Sequence, residues 1–521
     1  MFRNLITLTI FLFSSMAFAL QGAKLSDTIP YPFYEVQRAA DGQDNDFTIL
    51  NSGIASFEKR IQMIQEAKKT IEVEYFIFND DLSGRLVMQE LALAGKRGVK
   101  VRMLIDMSKA VLQLSKYVAD LVSDYNIDLR FYNSAPLISL SNIQFRNHRK
   151  LIIVDDEQVV LGGRNIGDEY FDLDKKYNFY DRDVHIKGSI VETMRKSFDI
   201  FFEDKITLKP KLPREKVNRR IEKAERKALR KAMSPLKLEK KLKRIKKKYT
   251  KKMNEVMHFV KRSQEDQEQM DKIRAVGKRV LDQVPTQSCP EVTWSTDRPG
   301  GNFKTRLKHK YSHKFRYLRK TFYDKMVNVD QELIISSPYL LHNRASRKMM
   351  GHLADNGVKI TAYTNSLSST DAIYVAALLY KDVKRWDKMG FTINAHRGVY
   401  IPETETINED IKKARWGTHS KTYLMKSSDA NEFSISTYNV DNRSSYYNTE
   451  LAIFCKGNDD LFDEVESNIQ SRIEHGMKIQ TNKKAFDNKT GEEVNRFGIA
   501  SSNVTLMKLI TLPSWLLQFL L

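Results

Sequence analysis

The chain has 521 residues, enough for two to three domains of about 100–200 residues each. Apolar residues make up 41% and aromatics 10%, which excludes a disordered chain and supports a packed core. The net charge is +21, but 20 Lys and Arg against 4 Glu between Lys211 and Lys252 place +16 of it in 42 residues, so the rest is nearly balanced and a uniformly basic surface is excluded.

At the N-terminus Arg3 precedes an apolar run from Leu5 to Phe18, and Ala17-Phe18-Ala19 fits the small-x-small cleavage rule. Residues 1–19 are therefore expected to be a secretory signal peptide, with an uncleaved anchor as the alternative. Export across an inner membrane follows, leaving the protein periplasmic, membrane-associated or secreted. From Phe57 to Ala67 the apolar spacing predicts a helix, and Ile71 to Phe78 a strand. Leu93-Ala94-Gly95-Lys96-Arg97-Gly98-Val99-Lys100-Val101 then leads into the apolar Met103-Leu104-Ile105. The same grammar returns later: a helix over Phe315 to Val327, a strand over Leu333 to Tyr339, then Leu353-Ala354-Asp355-Asn356-Gly357-Val358-Lys359-Ile360 before Thr361-Ala362-Tyr363. This internal duplication predicts an α/β fold of two pseudo-symmetric halves, each a mixed β-sheet flanked by helices, over residues 20–204 and 303–480.

Between them, residues 205–302 are expected to form a basic helical insertion. Leu238, Leu242, Ile245, Tyr249, Val256 and Val260 recur at helical spacing among Lys and Arg, after Pro235. This is either a solvated hairpin on the body or a surface for an anionic partner. Asp297-Arg298-Pro299-Gly300-Gly301 reads as the loop back into the second half. The two cysteines, Cys289 and Cys455, could pair in an exported chain, but Cys455 ends the apolar run Leu451-Ala452-Ile453-Phe454, which reads as a buried strand and weighs towards a free thiol. No Cys/His cluster has zinc spacing, and neither metal nor cofactor is expected. Residues 481–521 are expected to be an apolar tail. Its run from Val504 to Leu521 contains Lys508 and Pro513 and is a poor membrane span, although Trp515 suits an interface.

Two strings carry the chemistry: His148-Arg149-Lys150, with Asp155 after four intervening residues, and His419-Ser420-Lys421, with Lys426 at the corresponding place. A phosphodiester is cleaved without metal when a nucleophile attacks phosphorus, cations hold the non-bridging oxygens, and an acid protonates the leaving oxygen. Two His and two Lys brought together meet these needs. Gly162-Gly163-Arg164-Asn165 and Ser436-Thr437-Tyr438-Asn439 follow the two strings, each with an Asn able to donate to phosphate. Further on stand Asp183 and Glu450, carboxylates suited to fixing a histidine tautomer.

The paired His-x-Lys strings with these flanks resemble the phospholipase D superfamily, and in particular its bacterial cardiolipin synthase branch, C-type. Glu74 to Gly84, Gly162 to Phe171, Thr364 to Asp371 and Asn439 to Glu450 also carry the resemblance, which extends over about residues 45–204 and 310–460. It does not include the basic insertion. The resemblance implies His148 as nucleophile and His419 as general acid/base, or the reverse. It implies Lys150, Lys421, Asn165 and Asn439, with Gly163 and Thr437, around the phosphate. Asp183 and Glu450 would orient the histidines, and Asp155 would be structural. The second string departs from the family in having Lys426 for Asp and Thr437 where Ser is common. The missing acid sits at the far end of a strand, so its loss is expected to cost local order rather than chemistry, with Asp429 as a partial replacement.

The leading expectation is a phosphatidyltransferase working through a phosphohistidine, cardiolipin synthase-like, on phospholipid at a membrane surface. The alternatives are a phospholipid hydrolase giving phosphatidic acid, an exported nuclease for which the basic block would hold nucleic acid, and a non-catalytic lipid- or nucleic-acid-binding module with a degenerate second motif.

Overall fold

The computed structural model describes residues 28–107, 114–133, 145–300, 316–482 and 484–498. The expected leader over residues 1–19 and the apolar run from Val504 to Leu521 lie outside these residues.

Two large mixed sheets organise the described residues. The first has nine strands, in the spatial order Thr207–Leu208, Ile127–Tyr132, Lys100–Asp106, Thr70–Tyr75, Leu151–Val154, Gln158–Gly162, Asp183–Gly188, Asn45–Leu50 and Thr286–Ser288. Its centre is parallel and its later strands are antiparallel. The second has eleven strands and repeats this centre with Glu332–Ser336, Lys359–Asn365 and Phe391–His396, followed by the antiparallel Thr422–Lys426, Glu432–Ser436 and Leu451–Lys456. Parallel strands covered on both faces read as apolar runs, as in Met103-Leu104-Ile105 and Leu333-Ile334-Ile335, whereas Thr70–Tyr75 sets the buried Glu72 and Glu74 between its apolar residues.

Successive side chains of a strand point to opposite faces, and the cores follow this alternation. Met103 and Ile105 face one helical layer while Leu104 faces the other side; Leu333 and Ile335 do the same around Ile334. Helices α1 (Gly53–Glu66) and α2 (Leu82–Lys96) cover the outer face of the first sheet. Helix α3 (Lys116–Val122) lies beside its parallel edge. The inner faces of the two sheets share one core with α4 (Ile190–Glu203), which contributes Met194, Phe198, Phe201 and Phe202. The two halves are thus joined by a common apolar centre.

The insertion contains α5 (Pro213–Arg230), α6 (Pro235–Val256) and α7 (Gln264–Leu281). Pro213 and Pro235 sit in the first turns, where no amide hydrogen is needed. Helix α7 packs on α1 and buries Met270, Ile273 and Leu281.

Three expectations are corrected. The insertion does not run to residue 302: Thr286–Ser288 is an edge strand of the first sheet, and Glu291–Thr296 is a strand of the second. The second strand also pairs with Tyr34–Arg38, so an N-terminal segment belongs to the C-terminal sheet. The half does not end at 480 either, because Ala485–Asp487 and Glu493–Val494 extend the second sheet. Finally, Cys289 and Cys455 form a disulfide, with Cα atoms 5.9 Å apart. Cys455 is in a buried strand as expected, but the antiparallel neighbour Glu291–Thr296 brings Cys289 to it.

Candidate active site

The two His-x-Lys strings lie at the same position in their halves, just before the strands Leu151–Val154 and Thr422–Lys426. What unites them is a pair of short parallel ladders between the halves. Arg415–Thr418 pairs with Tyr177–Tyr180, and the His419 amide donates to the Tyr180 carbonyl at 2.8 Å. Asn147 pairs with Thr449, and the His148 amide donates to the Thr449 carbonyl at 2.9 Å. The next residue along each ladder is an acid, Asp181 in one case and Glu450 in the other. Each half therefore supplies a carboxylate to the histidine of the other half.

His148 Nδ1 lies 2.8 Å from Glu450 Oε2 and 3.1 Å from the Thr437 carbonyl. A carbonyl only accepts, so Nδ1 carries the proton and Nε2 keeps its lone pair. His419 Nδ1 lies 2.6 Å from Asp181 Oδ2, which gives the same tautomer. Lys150 Nζ donates to the His148 carbonyl at 2.8 Å. Lys421 Nζ donates to the His419 carbonyl and stands 2.8 and 3.0 Å from the ring nitrogens. Phe76 packs against the His148 ring, and Tyr170 and Phe179 against that of His419.

The electrostatics couple all four groups. Burial pushes His148 down from 6.5 to about 4; Glu450 opposes this, and Lys150 and Lys421 add to it. His419 falls to about 3, first by burial and then through Lys421, against the pull of Asp181 and with Lys150 contributing. Both rings are therefore neutral at pH 7. Burial and the charge of Lys421 lower Lys150 from 10.5 to about 7, and burial lowers Lys421 to about 8. Burial alone would raise Asp181, but His419 and Lys421 outweigh it and hold the carboxyl below its ordinary range. Glu450 is lowered in the same way, with His148 and Lys150 overcoming burial. Such a site holds two neutral imidazoles whose basicity is suppressed and two poorly solvated lysines, an arrangement that an entering anion would relieve.

Asp183, expected to orient a histidine, is elsewhere. It is the first residue of its strand, and its carboxylate accepts from Ser56 at 2.7 Å and Arg60 at 2.9 Å beneath α1. The ladder ends two residues earlier, so Asp181 takes that place. Gly163 and Thr437 also differ from expectation. A Cβ on Gly163 would overlap the Asp181 carboxylate, so the glycine makes room for it. Thr437 Oγ1 donates to Glu450 Oε2 at 2.5 Å, and Ser444 and Asn448 donate to Oε1 at 2.7 and 3.1 Å. Both residues thus position carboxylates. Asn165 Oδ1 accepts from the Ile77 amide at 3.1 Å, and its side chain also hydrogen-bonds to the Tyr170 hydroxyl. Asn439 is buried, and its Oδ1 has no hydrogen-bond partner among the described residues.

Two further positioning groups lie outside the His-x-Lys strings and are not among the expected site residues. The Asn147 amide donates to Asp106 Oδ2 at 2.8 Å, and the Thr418 amide to Asn365 Oδ1 at 2.8 Å, each fixing the residue before a histidine. Both acceptors end a central parallel strand, a position legible only once the register is known.

Asp155 accepts from the amides of Lys68, Lys69 and Thr70 at 2.8, 2.7 and 2.9 Å, tying a turn to the neighbouring loop. In the second half the roles are exchanged: Asp330 of the loop accepts from the Ser428 amide of the turn at 2.9 Å, and from its hydroxyl. Lys426 pairs with Glu466 at 2.6 Å. Asp429 does not replace the missing acid, because it pairs with Lys456. Among the described residues, no group of three or more His, Cys, Asp or Glu is arranged to hold a metal ion.

Comparison with known proteins shows what this chain is similar to. Residues 60–200 match the family described as cardiolipin synthase, PLD-like domain. An uncharacterized protein of Helicobacter pylori is 26% identical over 423 residues, 78% of this chain and 75% of that one. Cardiolipin synthase C of Escherichia coli is 26% identical over 422 residues, 77% of this chain and 79% of that one. The crystal structure of a phosphatidylserine synthase from Haemophilus influenzae has a TM-score of 0.56 and 14% identity, covering 91% of this chain and 95% of that one, which shows a shared fold. With its two halves closed on one pair of histidines, the chain is similar to cardiolipin synthase C over most of its length, and its first half matches the PLD-like domain of the cardiolipin synthase family.

Proposed function

We propose that the protein is a phosphatidyltransferase of the cardiolipin synthase kind. It would take the phosphatidyl group of one phospholipid onto the hydroxyl of another through a phosphohistidine. The observation that carries this reading is the reciprocal anchoring of the two histidines. Each Nδ1–H is held by a carboxylate of the opposite half, so each Nε2 is available for phosphorus or for a proton.

His148 is the better nucleophile. Its Nδ1 faces two acceptors, Glu450 and the Thr437 carbonyl, whereas His419 Nε2 lies 3.0 Å from the Lys421 ammonium. An entering anionic phosphodiester offsets the two lysines, so His419 takes up a proton at Nε2; Nε2 of His148 then attacks phosphorus, the P–O bond to the leaving alcohol breaks, and His419 gives that proton to the departing oxygen. Both rings are neutral in the free site, so it is the bound anion that arms His419 as the acid. In the second step His419 takes the proton of the acceptor hydroxyl, which displaces His148 from phosphorus. Water as acceptor would give phosphatidic acid by the same route. Export is the corresponding reading of location. It is supported by the leader-like N-terminus and by the Cys289–Cys455 pair, since disulfides persist in oxidising compartments.

The test uses the protein without residues 1–19 on vesicles of phosphatidylglycerol, with and without phosphatidylethanolamine, and reads lipid products by mass spectrometry. Cardiolipin that requires both His148 and His419 is the expected result. Phosphatidic acid alone would replace transfer by hydrolysis. No lipid product, with cleavage of naked DNA, would sink the proposal.

A further inference from the structure

The hairpin of α5 and α6 has no part in the site described above. Its base is fixed to the body. The Arg214 amide donates to Asp120 Oδ2 at 2.8 Å, and its guanidinium pairs with Asp120 and Asp124. Below α6, Phe259 is buried in the first helical core. The seam between the two helices is thin. Ala224 and Ala228 are buried, while Leu238, Leu242, Ile245 and Tyr249 of α6 are only half-buried, and α6 buries no residue fully.

The tip is different again. Leu229 is 84% exposed and Leu236 61%, the two most exposed large apolar side chains among the described residues. They flank the turn between the helices, with Met233 between them and Arg226, Lys227, Arg230, Lys231 and Lys237 around them. Helical rise places Leu229 about 22 Å along α5 from the Arg214 anchor. A single exposed leucine is ordinary. Two at the outer end of one projecting hairpin, in the most basic stretch of the chain, form a composite surface of apolar tip and cationic collar.

We infer that this hairpin docks the protein on an anionic phospholipid bilayer, with Leu229 and Leu236 entering the boundary between headgroups and acyl chains while the surrounding lysines and arginines meet the headgroup phosphates. Charge complementarity with anionic lipid supplies the attraction, and long basic side chains can lie along the apolar wedge with their charges at the surface. A nucleic acid would satisfy the charges but would leave both leucines in water. Docking is independent of turnover and is retained when His148 is replaced by Ala.

The test is co-sedimentation of the His148→Ala chain with phosphatidylcholine vesicles, with and without phosphatidylglycerol. Binding should need phosphatidylglycerol and weaken as salt is raised. Leu229→Gln combined with Leu236→Gln keeps every charge and should lower partitioning by about tenfold. Both side chains are exposed, so the melting temperature should not move. In a second readout, the emission of a Leu236→Trp variant should shift to the blue on anionic vesicles and not on neutral ones. Unchanged binding of the double Gln variant, equal binding to neutral vesicles, or displacement from anionic vesicles by duplex DNA would each overturn the inference.

Discussion

In the first half Glu74 and Arg149 meet as a fully buried ion pair at 3.2 Å; in the second half the same two register positions hold Ser336 and Ser420, joined by one hydroxyl hydrogen bond of 2.7 Å. The correspondence follows from pairing: Glu74 lies opposite Leu151 and Ser336 opposite Thr422, while Arg149 and Ser420 are the middle residues of the two His-x-Lys strings. The layer beneath repeats the contrast. Arg60, Asp183 and Arg164 form a buried ionic cluster under α1. At the corresponding places the second half has Phe322, Ala452 and Tyr438, with Phe322 packed on Tyr423, Tyr438 and Phe454. Histidine, lysine, asparagine and carboxylate are matched between the halves, whereas the groups that brace them are charged in one and neutral in the other. Lys426 in place of an acid belongs with the braces.

The comparison breaks most visibly at the matched parts. Asp181→Asn and Glu450→Gln should each lower kcat by about 10³- to 10⁴-fold in a vesicle assay, because either change lets a ring adopt the wrong tautomer. A loss confined to one of them would make the anchoring one-sided. The braces should differ in stability rather than rate. Glu74→Gln strands the Arg149 cation and should cost about 3–5 kcal/mol in urea unfolding, against about 1 kcal/mol for Ser336→Ala.

The two lysines sharpen the comparison by pH. Each holds its charge below its pKa and loses it as pH rises through that value. The drop in kcat/KM should therefore begin near pH 7, set by Lys150, and deepen near 8, set by Lys421. Lys150→Arg should move its onset towards 8. An alkaline limb near 10 would show that the lysines are not desolvated. The smallest effect belongs to Lys426→Asp, which restores the acid of the first half but sets it beside Glu466, with Glu332 at 3.8 Å from the present Lys426 ammonium. Stability should fall by about 1 kcal/mol and kcat should change by less than about twofold. A large gain in kcat would mean that the acid matters to chemistry.

How far the sequence could be read follows from where each signal lies. The His-x-Lys strings and the duplication are contiguous, and local spacing reveals them. The carboxylates are not. Glu450 abuts the apolar run of its strand, but in Tyr180-Asp181-Arg182-Asp183 two acids compete, and only the ladder with Arg415–Thr418 selects the first. Gly163 and Thr437 look like phosphate-binding positions because they neighbour Asn165 and Asn439; their real neighbours across the sheet are the anchoring acids. The placement of Tyr34–Arg38 and Glu291–Thr296 in the second sheet rests on pairings between distant segments, as does the Cys289–Cys455 bond across a separation of 166 residues.

The reciprocal ladders make the site a test of chain completeness. His148 is synthesised 302 residues before the acid that orients it, and Asp181 waits 238 residues for its histidine. A ribosome that stops anywhere before Glu450 releases a product with an unanchored His148, so under the proposed function a broken message would yield no stray phosphodiesterase. Activity becomes a property of the finished, closed chain, and its first appearance during refolding would time the docking of the halves.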